Sequence, residues 1–222
     1  MIMKYLYRLF KKTRSCRNFD QSKPVSEEII FSVLSLNRLL PSAMNRQELK
    51  FAYSLNKEIN AEICRSHGWA GGLDIKLPYE GKEPTAYIII CHDMRLRKDF
   101  CDIDVGISAH AMALGFTELG FASCMIGSFS EKLISEILDL PGYIVPRLLL
   151  AVGAPAEKHR IVTAPSRRGD SLGSSTEYYR DSFDVHVIPK RSLGEIIISS
   201  RGGDYHSLAA GAGAVKVKED ID

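Results

Sequence analysis

Five stretches of the chain have apolar side chains at the three- to four-residue spacing of an α-helix. The first covers residues 1–12, and the second follows Ser26, a typical N-cap residue, and stops before a proline. A shorter helix is predicted within residues 56–69. Residues 102–120 are apolar almost all round and rich in Gly and Ala, so we expect a buried, closely packed helix there. The fifth helix begins after Ser130.

The predicted strands lie between these helices. Residues 49–55 alternate between apolar and polar side chains, which is typical of a half-buried strand. Residues 85–91 and 147–153 are continuously apolar, as expected for central strands covered on both faces. Residues 121–130 form a short apolar segment that is interrupted by a glycine. Residues 184–198 predict a strand, a proline break and a short helix.

The order of these elements favours one α+β domain over residues 1–200, because we find no internal repeat and no change of composition that marks a boundary. Residues 154–183 are polar without a steady period, so they either wrap around something or are mobile. We expect residues 201–222 to be a weakly ordered tail.

Composition excludes several classes of protein. The 222 residues carry a formal net charge of only +2, which gives no general attraction to nucleic acid. The five cysteines form no C-x-x-C pair, which fits a reducing compartment, and we expect a cytoplasmic protein. Lys4 and Arg8 interrupt the apolar N-terminal stretch, which is the wrong pattern for a signal peptide, and no stretch is apolar enough to cross a membrane. Two interpretations of that first helix stay open, a docked helix and a membrane-surface helix.

No hydrolytic or metal motif is present. The six histidines lack metal-ligand spacing, and we expect His110 to be a buried, hydrogen-bonded core residue. One cationic stretch remains, in which Arg14, Ser15 and Arg17 have the donors for a phosphate monoester. A solvated basic surface is the alternative interpretation of that stretch.

Three segments in a fixed order resemble the FMN-dependent nitroreductase family, over roughly residues 11–197. They are TRSCRNFD at 13–20, LPSAMNRQELKF at 40–51 and GFASCMIGSF at 120–129. The residues that match the family are Arg14, Ser15, Arg17, Phe19, Pro41, Ser42, Asn45 and Gln47. Thr13 stands where the family has a further arginine, and Glu48-Leu49 replaces its usual Pro-Trp pair.

The resemblance implies the site residues. Arg14, Ser15 and Arg17 would hold the phosphate and the polar edge of FMN. A second segment would come from the other subunit of a homodimer, and it consists of Pro41, Ser42, Ala43 and Asn45. The third would lie against the flavin with the Gly127 amide near N5, and it consists of Met125, Ile126 and Gly127. A basic residue near the C-terminus would reach the phosphate, and Lys190 and Arg191 are both candidates.

The same resemblance implies a three-layer α/β/α fold with a mainly antiparallel sheet, and a C-terminal arm that is exchanged with the dimer partner. It implies a ping-pong oxidoreductase in which FMN takes a hydride from NADH or NADPH and passes electrons to a small nitroaromatic, quinone or enone. The loop 65–84 would form the rim of the site, where Trp69 and Tyr79 either stack on an aromatic substrate or simply pack. Two alternatives stay open: a flavin-binding or flavin-processing protein without nicotinamide turnover, and a non-enzymatic scaffold.

Overall fold

The computed structural model describes residues 2–96, 101–165 and 175–197. Residues 6–157 form one compact unit, and the remaining described residues belong to a second. The predicted tail at 201–222 lies outside the described residues, as does part of the polar stretch 154–183. The prediction of a single domain over residues 1–200 stays a prediction.

Helices form where the apolar spacing predicts them. Their bounds are α1 Ile2–Lys12, α2 Glu27–Ser35, α3 Lys57–Arg65, α4 Cys101–Glu118, α5 Glu131–Ile137 and α6 Leu193–Ile196. The Ser130 hydroxyl accepts a hydrogen bond from the Leu133 amide at 3.3 Å, so the predicted N-cap of α5 is confirmed. None of the described helices is both long and apolar enough to cross a membrane.

The sheet of the larger unit is antiparallel throughout. Its strands are β1 Phe19–Asp20, β2 Leu49–Ser54, β3 Ala86–Asp93, β4 Ala122–Ile126 and β5 Ile144–Pro155. The central pair is β3 and β5, β2 lies outside β3, and β1 and β4 share the other edge of β5. Both central strands are largely buried, as their continuous apolar runs predict. The prediction of an α+β fold around a mainly antiparallel sheet is therefore confirmed.

Each face of this sheet has its own apolar core. Ile88, Ile90 and Leu150 point to the face that is covered by α2 and α4. Tyr87 and Ile89 point to the other face, where α3 and α5 pack. The alternation of side chains along β3 therefore separates the two helical layers.

The second unit contains a smaller sheet. Its strands are β6 His159–Thr163, β7 Tyr179–Arg180 and β8 His186–Lys190, with β8 in the middle. The strand, proline break and short helix predicted for residues 184–198 are present as β8 and α6. Strands β6 and β7 lie within 154–183, where the sequence shows no period. β7 has only two residues, and the β6 sequence HRIVT does not alternate between apolar and polar side chains.

One prediction about α4 is wrong. His110 is exposed rather than buried, and so are Ile103 and Gly106 on the same stripe of the helix. The sequence does not reveal this exposed stripe, because α4 has too few strongly polar residues to mark a solvent-facing side at helical spacing. Exchange of a C-terminal arm between subunits stays a prediction.

Candidate active site

The Arg14–Arg17 segment is fixed along the edge strand β4. It follows α1 and precedes β1, and the Cys16 amide donates to the Ser123 carbonyl at 3.0 Å. Ser15 forms an isolated bridge with Ser123. Two of the predicted flavin segments are thus brought together, since Ser123 lies two residues before Met125.

Thr13 is used to anchor the end of α1. Its hydroxyl lies 2.9 Å from the Leu9 carbonyl oxygen and 3.0 Å from the Thr117 hydroxyl on α4. An arginine at this position would lose both contacts. Thr13, which replaces the family arginine, therefore stabilises the end of α1. The first cationic donor of the segment is Arg14.

The Arg14 guanidinium is a half-buried charge. It donates to the Phe10 carbonyl, whereas its Nε is buried and has no hydrogen-bond partner in the described part of the chain. Burial lowers the pKa of Arg14 below its ordinary value. Loss of hydration disfavours a charged group unless an opposite charge replaces the water. An anionic ligand would therefore bind here with an electrostatic advantage.

Asn18 and Glu157 position this segment, and the sequence did not reveal them. The Glu157 carboxylate accepts a hydrogen bond from the Arg17 amide at 2.6 Å and from the Asn18 side-chain amide at 3.1 Å. Asn18 is buried, and its Oδ1 accepts from the Tyr79 amide at 2.8 Å. Because Glu157 is 140 residues from Arg17 along the chain, no local motif signals the pairing.

The end of β4 presents alternate residues outward. Met125 is 40% exposed and Gly127 is exposed, whereas the Ile126 side chain belongs to the core. Only the backbone of Ile126 is thus available to a ligand. A Cβ atom built on Gly127 would meet only the Leu148 side chain, at 4.0 Å.

The segment from Pro41 to Asn45 is attached to the opposite end of α4. The Ala43 amide lies 3.2 Å from both carboxylate oxygens of the buried Asp104. Asp104 and Thr117, which touch the two predicted segments, are separated by about 20 Å along α4 at roughly 1.5 Å per residue. Within one chain, the structure does not bring Pro41–Asn45 together with Arg14–Arg17.

Backbone strain marks the same loop. Met44, Asn45 and Gln47 have φ values of 53°, 55° and 52°, in the left-handed region that non-glycine residues seldom adopt. The Ser42 hydroxyl accepts from the Gln47 amide at 3.2 Å, which helps to hold this conformation. Strained backbone of this kind is concentrated at functional sites.

Glu48, where the family usually has proline, has an internal partner. Its carboxylate is 3% exposed and lies 3.2 Å from His92 Nε2, with Arg46 at 4.0 Å. His92 is also buried, at the end of β3. The two groups lie at ion-pair distance but without hydrogen-bond geometry, so within the described residues both Glu48 oxygens and His92 Nε2 lack a hydrogen-bond partner.

Buried thiols and His67 are poor acid–base or nucleophilic groups. Burial raises the pKa of Cys124 to about 11 and that of Cys91 to about 12. Burial lowers the pKa of His67, whose Nε2 lies 3.0 Å from the Tyr87 hydroxyl.

Lys190 and Arg191 lie at the end of β8 in the second unit. The Lys190 carbonyl accepts a hydrogen bond from the Ala164 amide at 2.8 Å. A contact between one of these two basic residues and the FMN phosphate stays a prediction.

The chain belongs to the nitroreductase family. The sequence model of that family matches residues 10–65 and 83–154, more than half of the chain. Both matched ranges include predicted flavin segments, so the family resemblance drawn from the motifs is confirmed.

Similar proteins agree with this assignment. An NADPH-dependent oxidoreductase of Staphylococcus aureus is 25% identical over 198 residues, which covers 80% of this chain and 75% of that protein. A nitroreductase family protein of Clostridium difficile 630 is 28% identical in structure alignment, with a TM-score of 0.53 over 67% of this chain and 83% of the other. An FMN-dependent nitroreductase of C. difficile R20291 has a TM-score of 0.58 at 24% identity, over 68% and 87% of the two chains, and shows the shared fold.

Proposed function

We propose that the protein is an FMN-dependent NAD(P)H oxidoreductase that passes electrons to a nitroaromatic, a quinone or an enone. The observation that carries the proposal is the half-buried Arg14 guanidinium, held beside β4 with a buried Nε that lacks a described partner. The phosphate of FMN would provide an opposite charge for the accessible part of this guanidinium, and the flavin would provide the redox chemistry. The names of the relatives, one NADPH-dependent and one FMN-dependent, support both cofactors.

The residues of the chain bind and orient the cofactor in this proposal. Arg14, Ser15 and Arg17 hold the phosphate and the polar edge of FMN, and the end of β4 supports the ring. The exposed Gly127 leaves room for close approach of a flat ligand to the backbone. A single flat site that takes the nicotinamide and then the acceptor accounts for a ping-pong cycle.

Binding of FMN is tested by replacing Arg14. Arg14→Ala should weaken FMN binding by about 1.5–3 kcal/mol, the range for hydrogen bonds to charged groups. Arg8→Ala is the matched control, since Arg8 is an exposed cation on α1. FMN affinity is measured by flavin fluorescence, and bleaching by NADH or NADPH under argon is measured by absorbance. Equal FMN affinity in Arg14→Ala and in the control would remove Arg14 from the site.

A homodimer with shared sites is the second part of the proposal. The separation of about 20 Å along α4 supports it, because Arg14 and Asn45 of one chain are placed at opposite ends of that helix. In a dimer, Pro41, Ser42, Ala43 and Asn45 of one subunit would complete the site that Arg14 begins in the other. The exposed stripe of α4 with Ile103 and Gly106 provides apolar and small residues for such an interface.

Complementation between two defective chains tests the shared site. Asn45→Gly removes the side chain and keeps the left-handed backbone accessible. A dimer of one Arg14→Ala chain and one Asn45→Gly chain, isolated with two affinity tags, would have one intact site and one doubly altered site. We expect FMN occupancy near half that of the wild type, with little in either parent homodimer. A mixed dimer in which neither site has the wild-type affinity would refute sharing.

A further inference from the structure

A cavity lies beside α3 in the larger unit. It has a volume of about 580 Å³, within the range of small-molecule pockets, and its wall includes Lys57, Asn60, Arg65, Trp69, Lys76 and Glu83. The residues predicted to contact FMN are absent from this wall. Most of the wall belongs to the loop 65–84, which the family resemblance predicts to be the rim of the flavin site.

The charge of the wall favours an anion. Lys57, Arg65 and Lys76 contribute three cations, and Glu83 is the one acidic residue of the wall. Among the described residues, none of the three cations has an ion-pair partner. Three cations against one carboxylate give the wall a net positive charge, and a positively charged cavity raises the local concentration of anions.

A buried polar atom lies in the same wall. Asn60 is 4% exposed, and its Nδ2 donates to the Thr85 carbonyl at 3.0 Å, which sets the orientation of the amide. Its Oδ1 is buried and has no hydrogen-bond partner within the part of the chain that the structure describes. Buried acceptors without a donor are uncommon in proteins. This acceptor lies behind the wall and not on its surface, so the cations of the wall are the groups that a bound anion would contact.

Part of the remaining wall is apolar. The Trp69 ring lies 4.9 Å from the His67 ring, centroid to centroid, and Leu77 and Pro78 complete this side. Aromatic and apolar walls with few polar groups are typical of pockets for flat organic molecules.

We propose that this cavity binds a small molecule that carries a carboxylate or phosphate group on a flat apolar body. The anionic group contacts Lys57 and Arg65, and the body lies against Trp69. The inference does not depend on flavin turnover.

Trp69 provides the assay because it is the single tryptophan of the chain. Its fluorescence is followed while the purified protein is titrated with benzoate, adenosine 5′-monophosphate or inorganic phosphate. Saturable quenching by benzoate identifies an aromatic carboxylate site, and quenching by the nucleotide identifies a nucleotide phosphate site. We expect at least one of these two to bind more tightly than inorganic phosphate, which lacks the flat body.

Removal of the cations tests the location. The double variant Lys57→Gln, Arg65→Gln should weaken binding about tenfold or more, since each charge-assisted hydrogen bond is worth roughly that factor. Lys132→Gln is the control, because Lys132 is an exposed cation on α5 outside the cavity. All three positions are exposed, so these variants are expected to fold.

Four results would overturn the proposal. The first is that neither benzoate nor the nucleotide quenches Trp69 saturably, and the second is that inorganic phosphate binds as tightly as the tighter of these two probes. The third is that the double variant binds with unchanged affinity, and the fourth is that binding is lost in Arg14→Ala. The last result would place the probe at the proposed flavin site instead. The two proposals can fail separately, because probe binding is measured by Trp69 fluorescence and FMN binding is measured by flavin fluorescence.

Discussion

Replacement of Gly127 by alanine separates a role in flavin binding from a role in folding. In the structure, an added Cβ would meet only the Leu148 side chain at 4.0 Å, an ordinary van der Waals distance. The φ angle of Gly127 is outside the left-handed region. The protein itself therefore gives no steric reason for glycine at this position.

Gly127→Ala is expected to raise the stability of the fold and to lower the affinity for FMN. Alanine restricts the unfolded chain and should stabilise the fold by about 0.4–1 kcal/mol where the native backbone tolerates it. If the Gly127 amide approaches flavin N5, the methyl group would press against the ring. Overpacking of this kind costs about 1–3 kcal/mol, which weakens FMN binding by roughly 5- to 150-fold.

The assay combines three measurements on Gly127→Ala: the melting temperature of the apoprotein, the Kd for FMN, and the stopped-flow rate of flavin reduction by NADPH. Gly142→Ala is the matched control, because a Cβ there also meets open space and Gly142 lies in the turn before β5. We expect both variants to melt at or slightly above the wild-type temperature, and only Gly127→Ala to lose FMN affinity and reduction rate.

Two outcomes would refute this reasoning. A Gly127→Ala protein with wild-type Kd and wild-type reduction rate would remove Gly127 from the flavin site. A strongly lowered melting temperature in that variant would show that glycine is needed for the fold, in conflict with the open space around it.

Three further predictions concern stability. Glu48→Ala should cost about 1–3 kcal/mol because it leaves the buried His92 without the polar group that lies 3.2 Å from it. Glu48→Ala combined with His92→Leu should cost less than the sum of the single changes in urea unfolding, and additive costs would contradict a coupled pair. Because the pKa of His67 is lowered in the folded state, the unfolded chain binds a proton at a higher pH than the folded chain, and stability should fall as pH drops below the ordinary value of 6.5. His67→Gln should make this loss of stability shallower, and an identical pH profile in the variant would disprove the assignment. Gly153→Ala should destabilise by about 1–3 kcal/mol, because its Cβ would lie 2.8–3.0 Å from Phe19 atoms; an unchanged melting temperature would show that β1 can shift freely.

Helices and central strands could be predicted from the sequence because they depend on local spacing. The apolar run that became β3 and the Ser130 cap of α5 are examples, since each needs only neighbouring residues. The flavin motifs were likewise visible as short segments in a fixed order. Strand β7 was missed because it has only two residues, and β6 was missed because its sequence HRIVT does not alternate between apolar and polar side chains.

Contacts between distant segments were decided by the tertiary structure alone. The sequence determined the family, the α+β class and the residue types of the Arg14–Arg17 segment. It did not contain the pairing of Glu157 with the Arg17 amide, the burial of Glu48 against His92, or the exposure of His110 on α4. These depend on which elements pack side by side, and the physical reason is that burial and hydrogen bonding are set by neighbours in space, whereas periodicity reports only neighbours along the chain.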